Sequence, residues 1–207
     1  MLREFCPPVN PGRFNVADNA GAGATSDNTD ILRRLLDHGV EGVALGLIWD
    51  PLAVQMCAEA GVGRTLRIRI GGKTDASSGQ PVDLTLTVKA VEADHWQPGL
   101  GGGRMNLGLS AWVRAEGIDV VLTSRRSQTH SPRAFTALGC TLHDKRAVVV
   151  KSMQHFVTQF APIAADIRYV AAGGAAMPDF ADLPYTKRSG AFWPAIEPPF
   201  FRKETTR

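Results

Sequence analysis

Ala147-Val-Val-Val-Lys-Ser152 places four small or β-branched apolar residues directly before a lysine and a serine. A run this short and this continuously apolar reads as a strand covered on both faces, as in a sheet flanked by helices. Ile118-Asp-Val-Val-Leu-Thr123 and Val43 to Ile48 share its character. Between them, Asp50-Pro51 opens a helix with a capping carboxylate and a proline in the tolerated first turn, and Gly61 and Gly63 stop it. Buried strands alternating with helices make an α/β fold.

Outward from this core the pattern changes. Residues 1 to 13, broken by Pro7, Pro8 and Pro11, read as an irregular lead-in, and Phe14 to Ala17 as a short first strand. The turn-rich stretch from Asp18 leads to a helix whose apolar face is Ile31, Leu32, Leu35 and Leu36, capped by Ser26 or Asp27 and ended by Gly39. From Thr65 the period becomes two. Leu66, Ile68 and Ile70, then Val82, Leu84, Leu86 and Val88, then Met105 to Val113 alternate with polar or small residues, with Gly99 to Gly103 as a turn. The expectation is a mixed sheet core flanked by helices, carrying an inserted antiparallel patch at about residues 64–115. A helix from about Met153 to Phe160 and a strand from Ile167 to Val170 precede a tail rich in Gly and Pro. Residues 14–207 form one domain in this reading.

The chain has 207 residues and a net charge of +3, with 44% hydrophobic and 21% charged residues. This is the profile of an ordinary globular protein rather than a disordered one. Nucleic-acid binding calls for a concentrated basic face, and the longest obvious run, Arg125-Arg126, is two residues. No apolar run approaches the roughly 20 residues that span a bilayer. The start, Met1-Leu-Arg-Glu-Phe-Cys, lacks the apolar centre of a signal peptide. Cys6, Cys57 and Cys140 are odd in number and widely spaced, which fits a reducing compartment such as the cytoplasm.

Three places could carry chemistry. Asp18-Asn-Ala-Gly-Ala-Gly23 lies between a strand and a helix, where free N–H groups favour an anion, although small residues also simply make tight connections. Lys151, Ser152 and His155 follow a buried strand, where open α/β sheets bind ligands; a solvated lysine is the plainer alternative. Thr123-Ser-Arg-Arg-Ser-Gln128 follows another buried strand and offers hydroxyls and guanidinium groups suited to a carboxylate, or is a polar loop. The five histidines, His38, His95, His130, His143 and His155, form no metal-ligand spacing. His38 reads as a helix C-terminal cation and His95 as a turn residue. No G-x-S-x-G elbow is present.

Several ordered segments resemble the C-terminal domain of the microcystinase C (MlrC)-like zinc metallopeptidase family. They are Asp18-Asn-Ala-Gly-Ala-Gly-Ala-Thr-Ser-Asp27, Asp50-Pro51, Ala60-Gly-Val-Gly63, Gly71-Gly-Lys73, Val120-Val-Leu-Thr-Ser124 with Gln128, Val149-Val-Lys-Ser152 with His155-Phe156, Leu183-Pro-Tyr185 and Trp193-Pro194. The sequence departs from the family pattern at Ala20, Ala22 and Thr25-Ser26, where the family has Pro, Gly and Pro-Gly, and in the segment Gly190-Ala-Phe-Trp-Pro194.

The resemblance implies part of a zinc-dependent peptide or amide hydrolase whose zinc ligands come from an N-terminal domain, so that this chain holds no metal of its own and is inactive alone. It implies a cleft for a small peptide-like substrate, with Asp18, Asn19, Ser124, Lys151, Ser152 and His155 as substrate-binding residues; none is assigned a catalytic role. The abrupt, proline-rich start fits a break before the first strand, and the implied partner is the metal-binding domain or subunit. Self-association is another way to cover that surface. Two alternatives stay open: a stand-alone binding or interaction module, including one for an anionic small molecule, and a phosphate-binding α/β protein using the Asp18 to Asp27 loop.

Overall fold

The computed structural model describes residues 17–170, 172–177, 183, 185–187, 192, 193 and 196, and the backbone of 11–15. Cys6, Pro184 and Pro194 lie outside these residues.

Among the described residues, β1 (Pro11–Asn15) leads through a polar loop to α1 (Asp30–Asp37), β2 (Val43–Trp49) and α2 (Pro51–Ala60). Next come β3 (Thr65–Ile70), β4 (Val82–Pro98) and β5 (Arg104–Ala115), then β6 (Ile118–Thr123), α3 (Arg133–Thr136), β7 (Ala147–Val150), α4 (Val157–Phe160) and β8 (Asp166–Val170). They form one sheet in the order β3-β4-β5-β6-β2-β7-β1-β8. Strands β6, β2, β7, β1 and β8 are parallel. Antiparallel pairing joins β3, β4, β5 and β6. The expected antiparallel patch therefore continues the same sheet through the β5–β6 pair.

The central strands are buried on both faces, as their β-branched runs require: every residue of β6 and β7 is buried. Side-chain alternation splits the core in two. On one face, Leu32 and Leu35 of α1 and Ala53, Val54 and Cys57 of α2 pack on Val43, Leu45, Ile118, Val120, Leu122 and Val149. On the other, Phe135, Leu138, Phe156 and Phe160 pack on Ala44, Leu47, Val121, Val148 and Val150. A bulge between Gly46 and Ile48 shifts the parity of β2, which lets Ile48 join the face of Val43 and Leu45. Gly46 is needed there: a Cβ would sit 3.1 Å from the Phe135 ring and 3.2 Å from Val121 Cβ.

Local boundaries differ from expectation where tertiary contacts decide them. β1 begins at Pro11 and ends at Asn15, so Pro11 to Arg13 belong to the first strand; proline is tolerated as a strand's first residue. Thr29, rather than Ser26 or Asp27, precedes α1. Asp50 caps α2 as expected, its Oδ1 accepting from Ala53 N at 3.1 Å. β4 runs ten residues past Val88 to Pro98, through several bulges, so His95 is a buried strand residue rather than a turn residue. The helix expected from Met153 shrinks to Val157–Phe160 plus a 3-10 turn.

Phe135, fully buried against the bulge of β2, gives a direct test of this core. Phe135→Ala is expected to lower unfolding free energy by roughly 3–5 kcal/mol, measured by urea denaturation with little change in slope; a loss under about 1 kcal/mol would refute the packing described.

Candidate functional site

Because β1, β2, β6 and β7 are parallel, the segments leaving their carboxyl ends gather at one edge of the sheet, the edge where open α/β sheets bind ligands. These segments are the loop from Ala17 to Thr29, Asp50 at the start of α2, residues 124 to 131 and residues 151 to 156.

Lys151 and Asp18 meet at the centre of this edge. Lys151 Nζ lies 2.7 Å from Asp18 Oδ2 and donates to the carbonyls of Ser26 and Asn28 at 2.9 Å each. Asp18 in turn accepts from the N–H groups of Ser26 and Asn28 at 2.8 and 2.9 Å. Both side chains are almost wholly buried. Burial pushes the lysine's pKa down, and Asp18 opposes that shift. Three acceptors match the three donors of an ammonium group, so this lysine is a fastener rather than a solvated cation.

Two further carboxylates organise backbone around it. Asp27 Oδ1 accepts from Ser78 Oγ at 2.5 Å, and its Oδ2 accepts from Lys73 N, Thr74 N and Thr74 Oγ1 at 2.8–3.0 Å. Burial alone would raise its pKa, but hydrogen bonds from Ser78, Thr25, Lys73 and Thr74 hold it below the usual carboxylate value. Asp50, besides capping α2, accepts from Gly71 N at 2.8 Å and pairs with Lys73 Nζ at 2.7 Å. The Gly71-Gly72 pair is explained by close approach: both have positive φ, and a Cβ would fall 2.7 Å from Asp27 O at Gly71 and 2.6 Å from the Gln80 backbone at Gly72.

The glycine-rich loop is a 3-10 turn over Ala20–Ala22, with Asn19 Oδ1 accepting from Gly21 N at 2.9 Å. The N–H groups of Ala22, Gly23 and Ala24 also bond inside the loop, to Asn19 O or Ala20 O. Arg126 donates to the carbonyls of Gly23 and Ala24 at 3.2 and 3.1 Å. The N–H donors that anion binding at this turn requires are therefore spent internally.

Beside the turn, Gln128 links the loops after β6 and β7. Its Nε2 donates to Ser152 Oγ at 2.6 Å, and its Oε1 lies 3.2 Å from His155 Nδ1. The His155 ring is exposed and stands 5.7 Å, centroid to centroid, from that of His130, which is buried with Nδ1 unpartnered. Gln97 of β4 holds this segment in place: its Oε1 accepts from His130 N and Ser131 N at 2.9 and 3.1 Å, and its Nε2 donates to Gln128 O at 2.6 Å. Gln128, His130 and Gln97 were absent from the expected substrate-binding set; Gln128 left a signal in the polar stretch after β6 and in a family-like segment, and Gln97 left none. Of the expected residues, Asn19, Ser152 and His155 gather around Gln128, and Asp18 and Lys151 lie beneath the loop. Ser124 stands apart, its carbonyl accepting from Trp49 Nε1 at 3.1 Å and its hydroxyl close to Gly108.

Removing one partner of the buried pair leaves an uncompensated charge, so Lys151→Met is expected to cost about 3–5 kcal/mol. The double change Asp18→Asn with Lys151→Met should cost less than the two single changes summed, in urea denaturation; strict additivity would deny the coupling. Acid sensitivity should come in two stages. Burial holds His95 and His130 below their ordinary 6.5, and His155's charge lowers His130 further, so the unfolded chain binds more protons and stability falls as pH drops below 6.5. Asp27, depressed below 3.8, contributes stability that is present above that value and lost as pH falls through its folded pKa. His95→Gln should flatten the upper stage and Asp27→Asn the lower one; a midpoint unchanged between pH 7 and 5 would contradict the first assignment.

Residues 14–187 match the family described as MlrC C-terminus. The chain is 35% identical over 178 residues to Microcystinase C of Sphingomonas sp, covering 86% of this chain and 34% of that protein. A crystal structure of a Mesorhizobium sp. BNC1 protein named as a metallopeptidase superposes with a TM-score of 0.79 at 24% identity, over 93% of this chain and 39% of the other, which establishes the shared fold. The chain thus spans about a third of the length of the curated relative it matches. The matched family, the identity to Microcystinase C and the shared sheet agree: this chain belongs to the MlrC C-terminus family.

Proposed function

We propose that this chain is the C-terminal part of a microcystinase C-like zinc-dependent peptide or amide hydrolase, forming a wall of the substrate cleft without holding the catalytic zinc. The observation that carries the reading is the polar edge itself, where loops from β1, β6 and β7 bring Asn19, Gln128, Ser152 and His155 together. A hydrolase whose metal is held elsewhere needs such a preorganised wall to orient its substrate.

The zinc does not fit the residues described. No group of three or more His, Cys, Asp or Glu side chains among them could hold a metal ion. His130 and His155 lie near one another without a third donor, and His38 and His143 are exposed on other segments. Zinc chemistry therefore belongs to the partner in this proposal, an N-terminal metal-binding domain or subunit, and no step is assigned to it here.

The substrate would be a small peptide-like molecule. Asp18 and Lys151 act by fixing the loop that bears Asn19; His155 is the exposed member of the wall, with Asn19 and Ser152 buried behind it; Ser124 serves its margin. Self-association through an apolar patch on the face the N-terminal domain would cover is a second arrangement. No helix among the described residues is long and apolar enough to cross a membrane. Cys57 and Cys140 are free and buried, their thiols pushed up to about 11 and about 12, first by burial, which suits a reducing, cytoplasmic setting.

Metal analysis of the tag-free chain after dialysis against metal-free buffer, run beside a hydrolysis assay on a linear peptide with and without added zinc, tests the reading. Zinc far below one equivalent and no hydrolysis are expected. One zinc per chain with hydrolysis abolished by a chelator would remove it.

A further inference from the structure

We infer that Gln128, backed by Ser152, is a positioning residue that holds His155 in the tautomer with its proton on Nδ1, leaving Nε2 as an acceptor for an N–H donor of a peptide-like ligand. The ligand half of this inference rests on the cleft reading above; the tautomer does not.

The chain of contacts runs one way. Ser152 Oγ, fully buried, accepts from Gln128 Nε2 at 2.6 Å, which directs Oε1 of the same amide toward His155 Nδ1 at 3.2 Å. Flipping the amide would reverse both contacts and make Nδ1 the acceptor. Gly21 argues against the flip. A Cβ at Gly21 would overlap Gln128 Oε1, so in the glycine a Cα hydrogen points at that atom. A Cα–H group directed at a carbonyl oxygen is weakly favourable, whereas the same group directed at an amide NH2 is not. The loop thus selects the amide orientation, and the amide selects the imidazole tautomer. Gly21 belongs to the glycine-rich turn whose own N–H groups are spent, so this gives the turn a role that anion binding does not.

His155 is exposed while Gln128 and Ser152 are buried, so the orienting groups are shielded and the oriented ring is open. Burial holds the pKa of His130, 5.7 Å away, below its ordinary 6.5, which favours its neutral form. A neutral neighbour and a free Nε2 suit an amide N–H better than a carboxylate, which would need a cation or donors at this spot.

Long-range proton–nitrogen spectra of the imidazoles, recorded above pH 8 on the whole chain, decide the tautomer. The ratio of the Nδ1–H to the Nε2–H form of His155 is expected to be roughly fivefold higher than without the Gln128 contact, the equivalent of one ordinary hydrogen bond. Gln128→Leu should abolish the increase, Gln128→Glu should restore it because a carboxylate still accepts from Nδ1–H, and Gly21→Ala should reduce it by displacing Oε1. A dominant Nε2–H form in the unmodified chain overturns the inference and leaves the cleft reading standing, and needs no variant to fold. Titration with tetra-alanine should then shift the His155 Nε2 resonance. An Nδ1–H tautomer with no response to tetra-alanine at Asn19, Ser152 or His155 overturns the ligand assignment together with the cleft reading.

Discussion

The buried contact between Lys151 and Asp18 is the constraint on which the working edge of this molecule depends. Thirteen residues of chain from Ala17 to Thr29 cross the carboxyl ends of the parallel strands, with only a single 3-10 turn of regular structure. Irregular backbone in such a place needs partners for its N–H and C=O groups. One lysine and one aspartate supply four of them, at Ser26 and Asn28, while neutralising each other. A buried ion pair is a weak source of net stability, but losing half of it is costly. Its value here is geometric: the end of β7 and the loop after β1 cannot move independently.

The remaining carboxylates extend the same logic. Asp27 and Asp50 gather the backbone N–H groups of residues 53, 71, 73 and 74 and so tie the start of α2 and the β3–β4 connection to the loop. The glycines at 71 and 72 permit the approach that these bonds require. Three acidic side chains, Asp18, Asp27 and Asp50, are thus occupied in shaping a surface. At that surface His155 is exposed, backed by the buried Gln128 amide and Ser152 hydroxyl.

The chain belongs to the MlrC C-terminus family. The chain corresponds to about a third of its curated relative, and among the described residues the donors for a metal do not converge. Family likeness carries chemistry from one protein to another only through the residues that perform it.

The sequence by itself determined the α/β class, the buried parallel strands, the capped helix at Asp50 and the antiparallel stretch, because strand and helix periodicities record which face of each element is covered. It also placed Asp18, Asn19, Lys151, Ser152 and His155 after strand ends, and parallel strands carry such residues to one edge of the sheet. What it did not disclose was which polar groups answer each other. Lys151 reads as a solvated strand-end lysine until the sheet order sets β7 beside β1 and turns it onto Asp18, 133 residues earlier. The free N–H groups expected of the glycine-rich loop vanish into its own turn, and His95 becomes buried because β4 continues past the expected turn. Hydrogen-bond partners are chosen by distance in space, which periodicity does not encode; only the tertiary structure decided them.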